Sequence, residues 1–318
     1  MTDVGYFLSS EEHGPSRLLR FARMGEEAGF RSVVVSDHYH PWTERQGESP
    51  FVWSVVGAIG AATGMDVMTG VTCPTVRLHP AILAQAAATS SLLLDGRFVF
   101  GVGSGEALNE HILGTRWPAA DIRLEMLAEA VAVMRALWKG GFVTHRGQHF
   151  TVENARIYSR PDVPPPVYVS GFGPKATRLA AEIGDGYVNV APEPDLIDLY
   201  RESGGKGPAV GLIKVCWAAD ESSARKLAHD VWPVTAVKAE LNQELPMPAH
   251  FEQASEGVTE DAVAELVPCG PDPEVHARAI AEYLEAGYDR VFVSQIGEDQ
   301  GGFLRFFFDE VRPRLEGS

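Results

Sequence analysis

The feature that most constrains the fold of this chain is a repeated alternation of short apolar segments with longer amphipathic ones. Eight short runs rich in β-branched and aromatic residues have the length of buried strands. They predict strands at residues 4–9, 32–37, 67–73, 98–102, 166–170, 186–190, 211–217 and 290–294. Apolar residues at helical spacing predict helices at residues 16–28, 51–63, 81–94, 123–138, 175–183, 196–203, 222–245, 273–286 and 302–315.

Eight β/α units in about 300 residues predict an α/β fold, a closed (β/α)8 TIM barrel with insertions, as a single domain over residues 1–318. The competing architecture is an open, doubly wound sheet, which usually carries a Gly-rich phosphate loop after its first strand. Here the first strand is followed by Ser-Ser-Glu-Glu. Residues 142–158 predict a hairpin insertion, and residues 219–272, which are long for one crossover, predict a helical insertion over the barrel mouth.

Composition excludes several classes of function. A formal net charge of −16 repels a phosphate backbone and argues against a nucleic-acid partner. Three widely spaced cysteines predict a reducing, cytoplasmic compartment rather than a disulfide framework. The first twenty residues lack the pattern of a signal peptide, and no apolar run reaches the roughly 18 residues of a membrane-spanning helix. We therefore expect neither a membrane nor a nucleic acid as partner.

The most informative motif lies at the end of the second predicted strand, where an apolar run gives way to Ser-Asp-His-Tyr-His-Pro-Trp. Side chains just past the end of a barrel strand are held rigidly and build the active sites of such barrels. His38 and His40 could be a metal pair, but no later strand end supplies the further ligands, so we predict no metal. The alternatives are an acid/base role for one histidine or a merely hydrogen-bonded one. Asp37 could bind a ligand across the mouth, and Trp42 could face the pocket or pack in the core.

Two glycine-rich segments follow later strands. The fourth predicted strand ends in glycines 101, 103 and 105, which allow a flat ligand to approach the backbone, and Glu106 lies just beyond as a candidate general acid. After the fifth strand, the run Ser-Gly-Phe-Gly-Pro over residues 170–174 leads into a helix. Free N–H groups at such a helix start favour an anion, so this segment is either a phosphate cradle for a cofactor or an ordinary strand-to-helix turn.

These motifs together resemble the coenzyme F420-dependent glucose-6-phosphate dehydrogenase family, which belongs to the luciferase-like barrels. Ser-Asp-His-x-x-Pro-Trp and Gly-Val-Gly-Ser-Gly-Glu-Ala-Leu-Asn-Glu carry the resemblance, with Pro74-Thr-x-Arg-x-x-Pro80, Gln85 and Gly184-Asp-Gly as further matches. The resemblance implies a deazaflavin cofactor and hydride transfer between a substrate carbinol carbon and C5 of the deazaflavin, or the reverse reduction. Relatives are commonly homodimers, and we expect one here.

The resemblance also implies roles for individual residues. His38 matches the general base, and Glu106 matches the group that protonates, or hydrogen-bonds near, the deazaflavin ring. Trp42 matches a neighbour of the reacting centre and Glu11 a further pocket carboxylate. A non-prolyl cis peptide that backs the ring falls at Gly70-Val71. The remaining positions that match cofactor contacts are Asp37, Cys73, Ser104, Gly105, Asn109, Ser170, Gly171, Phe172, Gly173 and Pro174.

The departures from the family concern the substrate. Glucose-6-phosphate dehydrogenases of this family use lysines near the end of strand six and in the long insertion, where this chain has Glu193 and Gln253, and Arg278 matches a third cation. A dianionic phosphate would be poorly bound beside Glu193. We therefore expect a neutral alcohol, sugar or ketone as substrate, with His40 helping to shape its pocket. The alternatives are an FMN-dependent monooxygenase of the same superfamily and a non-catalytic cofactor-binding barrel.

Overall fold

The computed structural model describes residues 3–316, and eight parallel strands close into a barrel, which confirms the predicted (β/α)8 fold. Around the barrel the strands follow the order β1-β10-β9-β8-β7-β4-β3-β2. The barrel strands are β1 (Val4–Leu8), β2 (Ser32–Val35), β3 (Asp66–Thr69), β4 (Phe98–Val102), β7 (Val167–Ser170), β8 (Gly186–Asn189), β9 (Ala209–Val215) and β10 (Arg290–Gln295). Strands β5 (Val143–Arg146) and β6 (Thr151–Ala155) form a separate antiparallel hairpin.

Helices surround the barrel and fill the long connection after β9. In chain order they are α1 (Pro15–Ala28), α2 (Val52–Ala62), α3 (Pro80–Leu93), α4 (Ala107–Glu110), α5 (Ala120–Lys139), α6 (Pro174–Ile183), α7 (Pro194–Glu202), α8 (Glu221–Val231), α9 (Ala239–Glu244), α10 (Pro248–Ser255), α11 (Glu260–Ala264), α12 (Pro273–Glu285), α13 (Gln300–Phe306) and α14 (Arg312–Glu316). A π-helical turn at Phe307–Val311 joins the last two. Of the described helices, none has the length and apolarity needed to cross a membrane.

The predicted single helix over residues 222–245 is wrong. Helix α8 ends at Val231, a 3-10 turn spans Pro233–Ala236, and α9 begins only at residue 239. Proline has no N–H to donate and its ring clashes with the preceding helical turn, so Pro233 ends the helix. The apolar pattern continues past this point because Val234 of the 3-10 turn and Leu245 after α9 pack with the same cluster as α8, not because the helix continues.

The barrel interior is layered by the alternation of side chains along the strands. Its apolar layer contains Phe7, Val34, Leu212 and Phe292, all of them buried. Because successive side chains point to opposite faces of a strand, residues two positions further on face the same interior, one layer nearer the mouth. That next layer is polar, with Ser9, Ser36, Lys214 and Ser294. The change from apolar to polar marks the carboxyl ends of the strands as the functional end.

Candidate active site

The centre of the polar layer is a histidine–carboxylate pair. His38 Nε2 lies 3.3 Å from Glu11 Oε1, and both side chains are nearly buried. The other oxygen of Glu11 accepts hydrogen bonds from the hydroxyls of Ser9 (3.0 Å) and Ser36 (2.5 Å). Burial alone would raise the pKa of Glu11, but the His38 ring, the Ser36 hydroxyl and the nearby Lys214 hold it below its usual value. Glu11 is thus an ionised carboxylate that orients the imidazole.

A second carboxylate is linked to His38 through one amide. Asn109 Nδ2 lies 3.1 Å from His38 Nδ1 and donates to Glu106 Oε2 at 3.2 Å. The short helix α4 begins right after Glu106 and carries Asn109 on its first turn, so residues that follow strand β4 reach the histidine that follows β2. The structure therefore brings together Glu11, His38, Asn109 and Glu106 in one continuous chain of polar contacts.

Trp42 forms an apolar wall beside the histidine. Its ring centroid lies 5.1 Å from that of His38, with the planes tilted by 55°. On its other side Trp42 meets the edge of the buried Phe251 from helix α10 at 5.1 Å. Trp42 packs with the apolar cluster that also contains Leu108, Trp232 and Ile296. The sequence left open whether Trp42 faces the pocket or packs in the core. In the structure its indole packs in the apolar cluster and also lies beside His38.

Asp37 points away from its neighbour His38, as strand alternation requires. One of its oxygens pairs with Arg77 at 2.9 Å and the other accepts a hydrogen bond from Thr72 at 2.7 Å. Arg77 also faces Glu110, whose carboxylate accepts from the backbone N–H of Arg77 at 2.5 Å. Burial raises the pKa of Glu110 to about 7, although the hydrogen bonds and charge of Arg77 oppose the rise. Both oxygens of Asp37 already have protein partners, so a cofactor would meet a prearranged carboxylate rather than a free one.

Sequence reasoning missed a second buried charge cluster, which lies beside Glu11 at the mouth. Glu12 accepts hydrogen bonds from Trp232 Nε1 (2.7 Å) and the backbone N–H of Gly297 (2.8 Å). Lys214 lies over the Trp232 ring, 4.1 Å from its centroid. Burial raises the pKa of Glu12 to about 7, and burial also lowers the pKa of Lys214 against the pull of Glu11 and Glu12. The signal was present in the sequence, since residues 210, 212 and 214 share one strand face and the third of them is a lysine.

The end of β3 carries the backbone feature that the resemblance predicts. The peptide bond between Gly70 and Val71 is cis. A Cβ atom at Gly103 would lie 2.8 Å from both Val71 Cγ2 and Ser170 Oγ, and Gly105 has a positive φ of 91°. Close packing of neighbouring strand ends therefore requires glycine at 103, and the backbone conformation favours glycine at 105. Cys73 is buried beside them, and burial raises the pKa of its thiol.

The predicted phosphate cradle has the form of an open helix start. Helix α6 begins at Pro174 with Gly173 as N-cap, no side chain caps it, and its first turn holds no acidic residue. A Cβ atom at Gly173 would meet nothing within 4 Å, whereas one at Gly171 would meet the backbone of α6 at 2.9 Å. Phe172 is half-exposed, and Ser170 and Ser104 are partly buried. Uncapped N–H groups with open space in front suit an anionic group.

The predicted substrate residues lie further out. Glu193 is exposed as the N-cap of α7, Gln253 is exposed on α10, and Arg278 is exposed on α12. Within residues 3–316, no hydrogen bond or ion pair joins any of them to the His38 cluster. His40 is half-buried, with Nδ1 2.9 Å from the carbonyl of Leu108 and its ring stacked on His111 at 5.6 Å. His40 thus braces the loop after β2 against the loop after β4.

Metal ligation has no support among the described residues, because no group of three His, Cys, Asp or Glu side chains there has the arrangement of a metal site. His38 and His40 point to different partners, Glu11 and Leu108 respectively.

The chain matches known proteins along almost its whole length. It is 36% identical to an F420-dependent glucose-6-phosphate dehydrogenase from Microbacterium testaceum (98% of this chain, 96% of the relative) and 35% identical to one from Beutenbergia cavernae (99% and 98%). Among solved structures, an F420-dependent secondary alcohol dehydrogenase in complex with an F420–acetone adduct superposes with a TM-score of 0.91 at 31% identity, covering 99% of both chains. The coenzyme F420-dependent tetrahydromethanopterin reductase from Methanopyrus kandleri, at 21% identity and a TM-score of 0.79, shares the fold. The family model for luciferase-like monooxygenases matches residues 1–290, and the chain belongs to that family.

Proposed function

We propose that this protein is an F420-dependent oxidoreductase that transfers a hydride between the carbinol carbon of a neutral alcohol and the deazaflavin, in either direction. The observation that carries this proposal is the chain of contacts from Glu11 through His38 and Asn109 to Glu106. It places a base and an acid on the same barrel mouth, next to an indole wall. A barrel that merely bound a cofactor would need no such pair.

Each residue has a task in this chemistry. When bound, the deazaflavin supplies the hydride acceptor. His38 takes the proton of the substrate hydroxyl as the hydride leaves, and the Glu11 carboxylate stabilises the resulting imidazolium. Glu106 would donate the one proton that the coenzyme gains together with the hydride. Trp42 keeps water away from one side of His38. A base positioned in this way contributes roughly 10²–10⁴ to the rate.

The described residues fit a flat, anionic coenzyme. The cis peptide at Gly70-Val71 and the glycines that end β4 lie side by side, and the buried hydroxyl of Thr75 has no hydrogen-bond partner among residues 3–316. The uncapped start of α6 can hold a phosphate through its N–H groups. We propose that residues 70–73, 104–109 and 170–174 hold the deazaflavin, its ring at the former two segments and its phosphate at the last.

The surroundings favour an uncharged substrate. The wall beside Trp42 is built from Leu108, Phe251 and Ile296. A phosphate monoester at Glu193 would meet a like charge and would lack the lysines that the glucose-6-phosphate dehydrogenases carry there. The relative with a TM-score of 0.91 acts on secondary alcohols. We therefore propose a small secondary alcohol, or the corresponding ketone, as substrate. In this proposal the insertion over residues 219–272 covers the bound substrate.

The test is a titration of the purified protein with F420 and with FMN, followed by a panel of secondary alcohols, primary alcohols and sugar phosphates read by deazaflavin absorbance. We expect F420 binding, turnover of secondary alcohols and little turnover of glucose 6-phosphate. His38→Ala should lose roughly 10²–10⁴ in kcat and keep coenzyme binding. Normal turnover by His38→Ala would remove this residue from its role.

The two alternatives make different predictions in the same assay. An FMN-dependent monooxygenase would bind FMN in preference to F420 and consume oxygen. A non-catalytic binder would take up F420 tightly and reduce it with none of the alcohols. Neither alternative is favoured by the relatives at 31–36% identity, all of which act with F420.

We also propose a homodimer formed through the outer faces of α2 and α3. These adjacent helices contain no charged residue, in contrast to α1, α5 and α12. Their outward side chains include Ile82, Leu92 and Leu93, which are 59%, 47% and 62% exposed. A surface this apolar is typical of an interface.

The three free cysteines fit the reducing cytoplasm as the compartment.

Light scattering during gel filtration tests the dimer. We expect a mass of two chains, and we expect Leu93→Asp to convert it to one chain because a carboxylate would be buried in the interface. Leu113→Asp is the matched control, since Leu113 is 56% exposed but lies outside these helices. A single-chain mass for the unmodified protein would contradict the proposal.

A further inference from the structure

Asn109 has an amide group whose orientation is determined by the backbone around it. Its Oδ1 lies 2.8 Å from the backbone nitrogen of Tyr39 and 3.3 Å from that of His40. Both nitrogens carry hydrogens, so the atom facing them must be the amide oxygen, because an NH2 group there would place donor against donor. Asn109 itself is almost completely buried and cannot turn to solvent.

This orientation directs the NH2 group at two groups of the active site. One contact is His38 Nδ1 at 3.1 Å, and the other is Glu106 Oε2 at 3.2 Å. An amide nitrogen only donates, so Nδ1 of the neutral His38 ring must hold a lone pair and its proton must lie on Nε2. Nε2 faces Glu11 Oε1 at 3.3 Å, which accepts that proton's hydrogen bond.

One neighbour of Nδ1 instead favours a proton on this atom. The backbone carbonyl of His40 lies 3.2 Å from Nδ1 and can only accept. In the neutral ring Nδ1 carries no proton, so it donates no hydrogen bond to this carbonyl. Once the ring takes a second proton, that proton lies on Nδ1 and the carbonyl accepts it. Nδ1 therefore has a donor ready for its neutral form and an acceptor ready for its charged form.

We propose that Asn109 is a positioning residue that fixes the neutral tautomer of His38, makes Nδ1 the atom that takes up the substrate proton, and ties that atom to Glu106. This inference rests on the proposed function for its catalytic meaning. The charged groups that face His38 are Glu11 directly, Glu106 through Asn109, and Lys214 through Glu11. Trp42 faces the ring without charge. Because Glu11 also favours a proton on Nε2, the test must separate its influence from that of Asn109.

The test is the tautomer of His38 in the protein without coenzyme, measured by long-range ¹H–¹⁵N correlation on histidine-labelled samples and assigned with His38→Gln. We expect the unmodified protein, in the neutral ring, to have a protonated Nε2 and a bare Nδ1. We expect Glu11→Gln to keep this tautomer, since Asn109 still donates to Nδ1. We expect the double variant Glu11→Gln with Asn109→Leu to move the proton to Nδ1, because the His40 carbonyl, which accepts a hydrogen bond from a protonated Nδ1, is then the remaining neighbour that favours one tautomer.

Asn189 offers a matched control. It is buried at the end of β8, its Oδ1 accepts from the backbone nitrogens of residues 190 and 191 at 2.7 and 3.3 Å, and its Nδ2 donates to Tyr187. Asn189→Leu removes a similar set of hydrogen bonds and should leave the His38 tautomer unchanged. If Asn109→Leu does not fold, the nearly isosteric Asn109→Asp replaces the donor by an acceptor and should place a proton on Nδ1.

Two results would overturn the proposal. The first is a proton on Nδ1 of the neutral ring in the unmodified protein. The second is that the single variant Glu11→Gln and the double variant Glu11→Gln with Asn109→Leu have the same His38 tautomer. The readout needs neither coenzyme nor substrate, so it stands whether or not alcohols are oxidised. With turnover established, Asn109→Leu should lower kcat more than it changes KM for the alcohol. The loss of kcat should not exceed the roughly 10²–10⁴ expected for His38→Ala.

Discussion

At the scale of single residues, the mouth of this barrel contains more buried charge than the reaction itself requires. Arg77, Asp37 and Glu110 form one set, and Lys214, Glu11 and Glu12 form another. Breaking a buried ion pair leaves its partner unpaired in a medium of low polarity, which costs far more than the loss of a surface pair. The first set holds the end of β3 against α4, and the second keeps Glu11 ionised beside His38.

Arg77→Met should therefore destabilise the protein by about 3–5 kcal/mol, because Asp37 and Glu110 would lose their shared cation. The matched control is Lys175→Met, which breaks an ion pair with Asp121 whose side chains are 73% and 66% exposed. That change should cost no more than about 1 kcal/mol. Urea unfolding of the three proteins measures both numbers. Equal effects of the two substitutions would show that the buried set does not brace the barrel.

Glu12 predicts a characteristic pH dependence of stability. Its pKa is raised from the ordinary 4.5 to about 7, so the folded protein binds more protons than the unfolded chain between these values. The stability that Glu12 contributes is present below pH 4.5 and is lost as the pH rises through about 7. Glu12→Gln should accordingly gain stability relative to the unmodified protein across this window and level off above it.

Glu298→Gln provides a control of opposite sign. Arg17 lowers the pKa of Glu298 through a hydrogen bond and its charge, so the stability from Glu298 is lost only as the pH falls below the ordinary 4.5. Thermal unfolding measured from pH 4 to pH 9 distinguishes the two variants. A Glu12→Gln difference that stays flat between pH 4.5 and 7 would contradict the assignment.

Two exposed residues, Glu193 and Gln253, are expected to affect the choice of substrate. If Glu193 and Gln253 are the reason that a sugar phosphate binds poorly, Glu193→Lys with Gln253→Lys should lower the KM for glucose 6-phosphate and leave that for a secondary alcohol nearly unchanged. Steady-state kinetics at two ionic strengths measures this, since an electrostatic gain weakens with salt. An equal change for both substrates would place these residues outside the substrate site.

At the scale of elements, helix α10 determines the position of Trp42. Phe251 is fully buried and is the contact between this helix and the indole. Phe251→Ala should cost about 3–5 kcal/mol of stability and lower kcat as Trp42 loosens. Phe142→Ala, at a phenylalanine that is 67% exposed in the hairpin, should change stability by no more than about 0.5 kcal/mol. Unchanged kcat in a folded Phe251→Ala protein would show that α10 does not position Trp42.

The elements also show where periodicity succeeds and where it fails. The eight barrel strands were predictable because a buried parallel strand is apolar on both faces and short. The helix predicted over residues 222–245 was wrong because Pro233 breaks it, a signal that the apolar period concealed. Helix α4 was not predicted, and α10 and α11 were predicted only as part of a helical insertion without their own bounds. Segments of four to eight residues contain too few turns for a periodic pattern.

At the scale of the whole molecule, the sequence predicted which strand ends carry the candidate site residues but not which of their side chains meet. His38 and Glu106 follow from their places after β2 and β4, and the cis bond at Gly70-Val71 follows from the resemblance. That Asn109 joins His38 to Glu106 depends on how loops of different strands pack, which no local pattern contains. The roles of Glu12 and Lys214 depend on burial inside the closed barrel. The assignments of catalytic, cofactor-binding and substrate-binding residues remain predictions.

The central claim is that hydride passes from a neutral alcohol to the deazaflavin at this mouth. The most direct measurement uses a secondary alcohol deuterated at the carbinol carbon, with mass spectrometry of the reduced coenzyme. We expect one deuterium to be transferred per turnover, and we expect His38→Ala to lose roughly 10²–10⁴ in rate without losing F420 binding. Reduced coenzyme without deuterium, or no reduction by any alcohol in the panel, would contradict it.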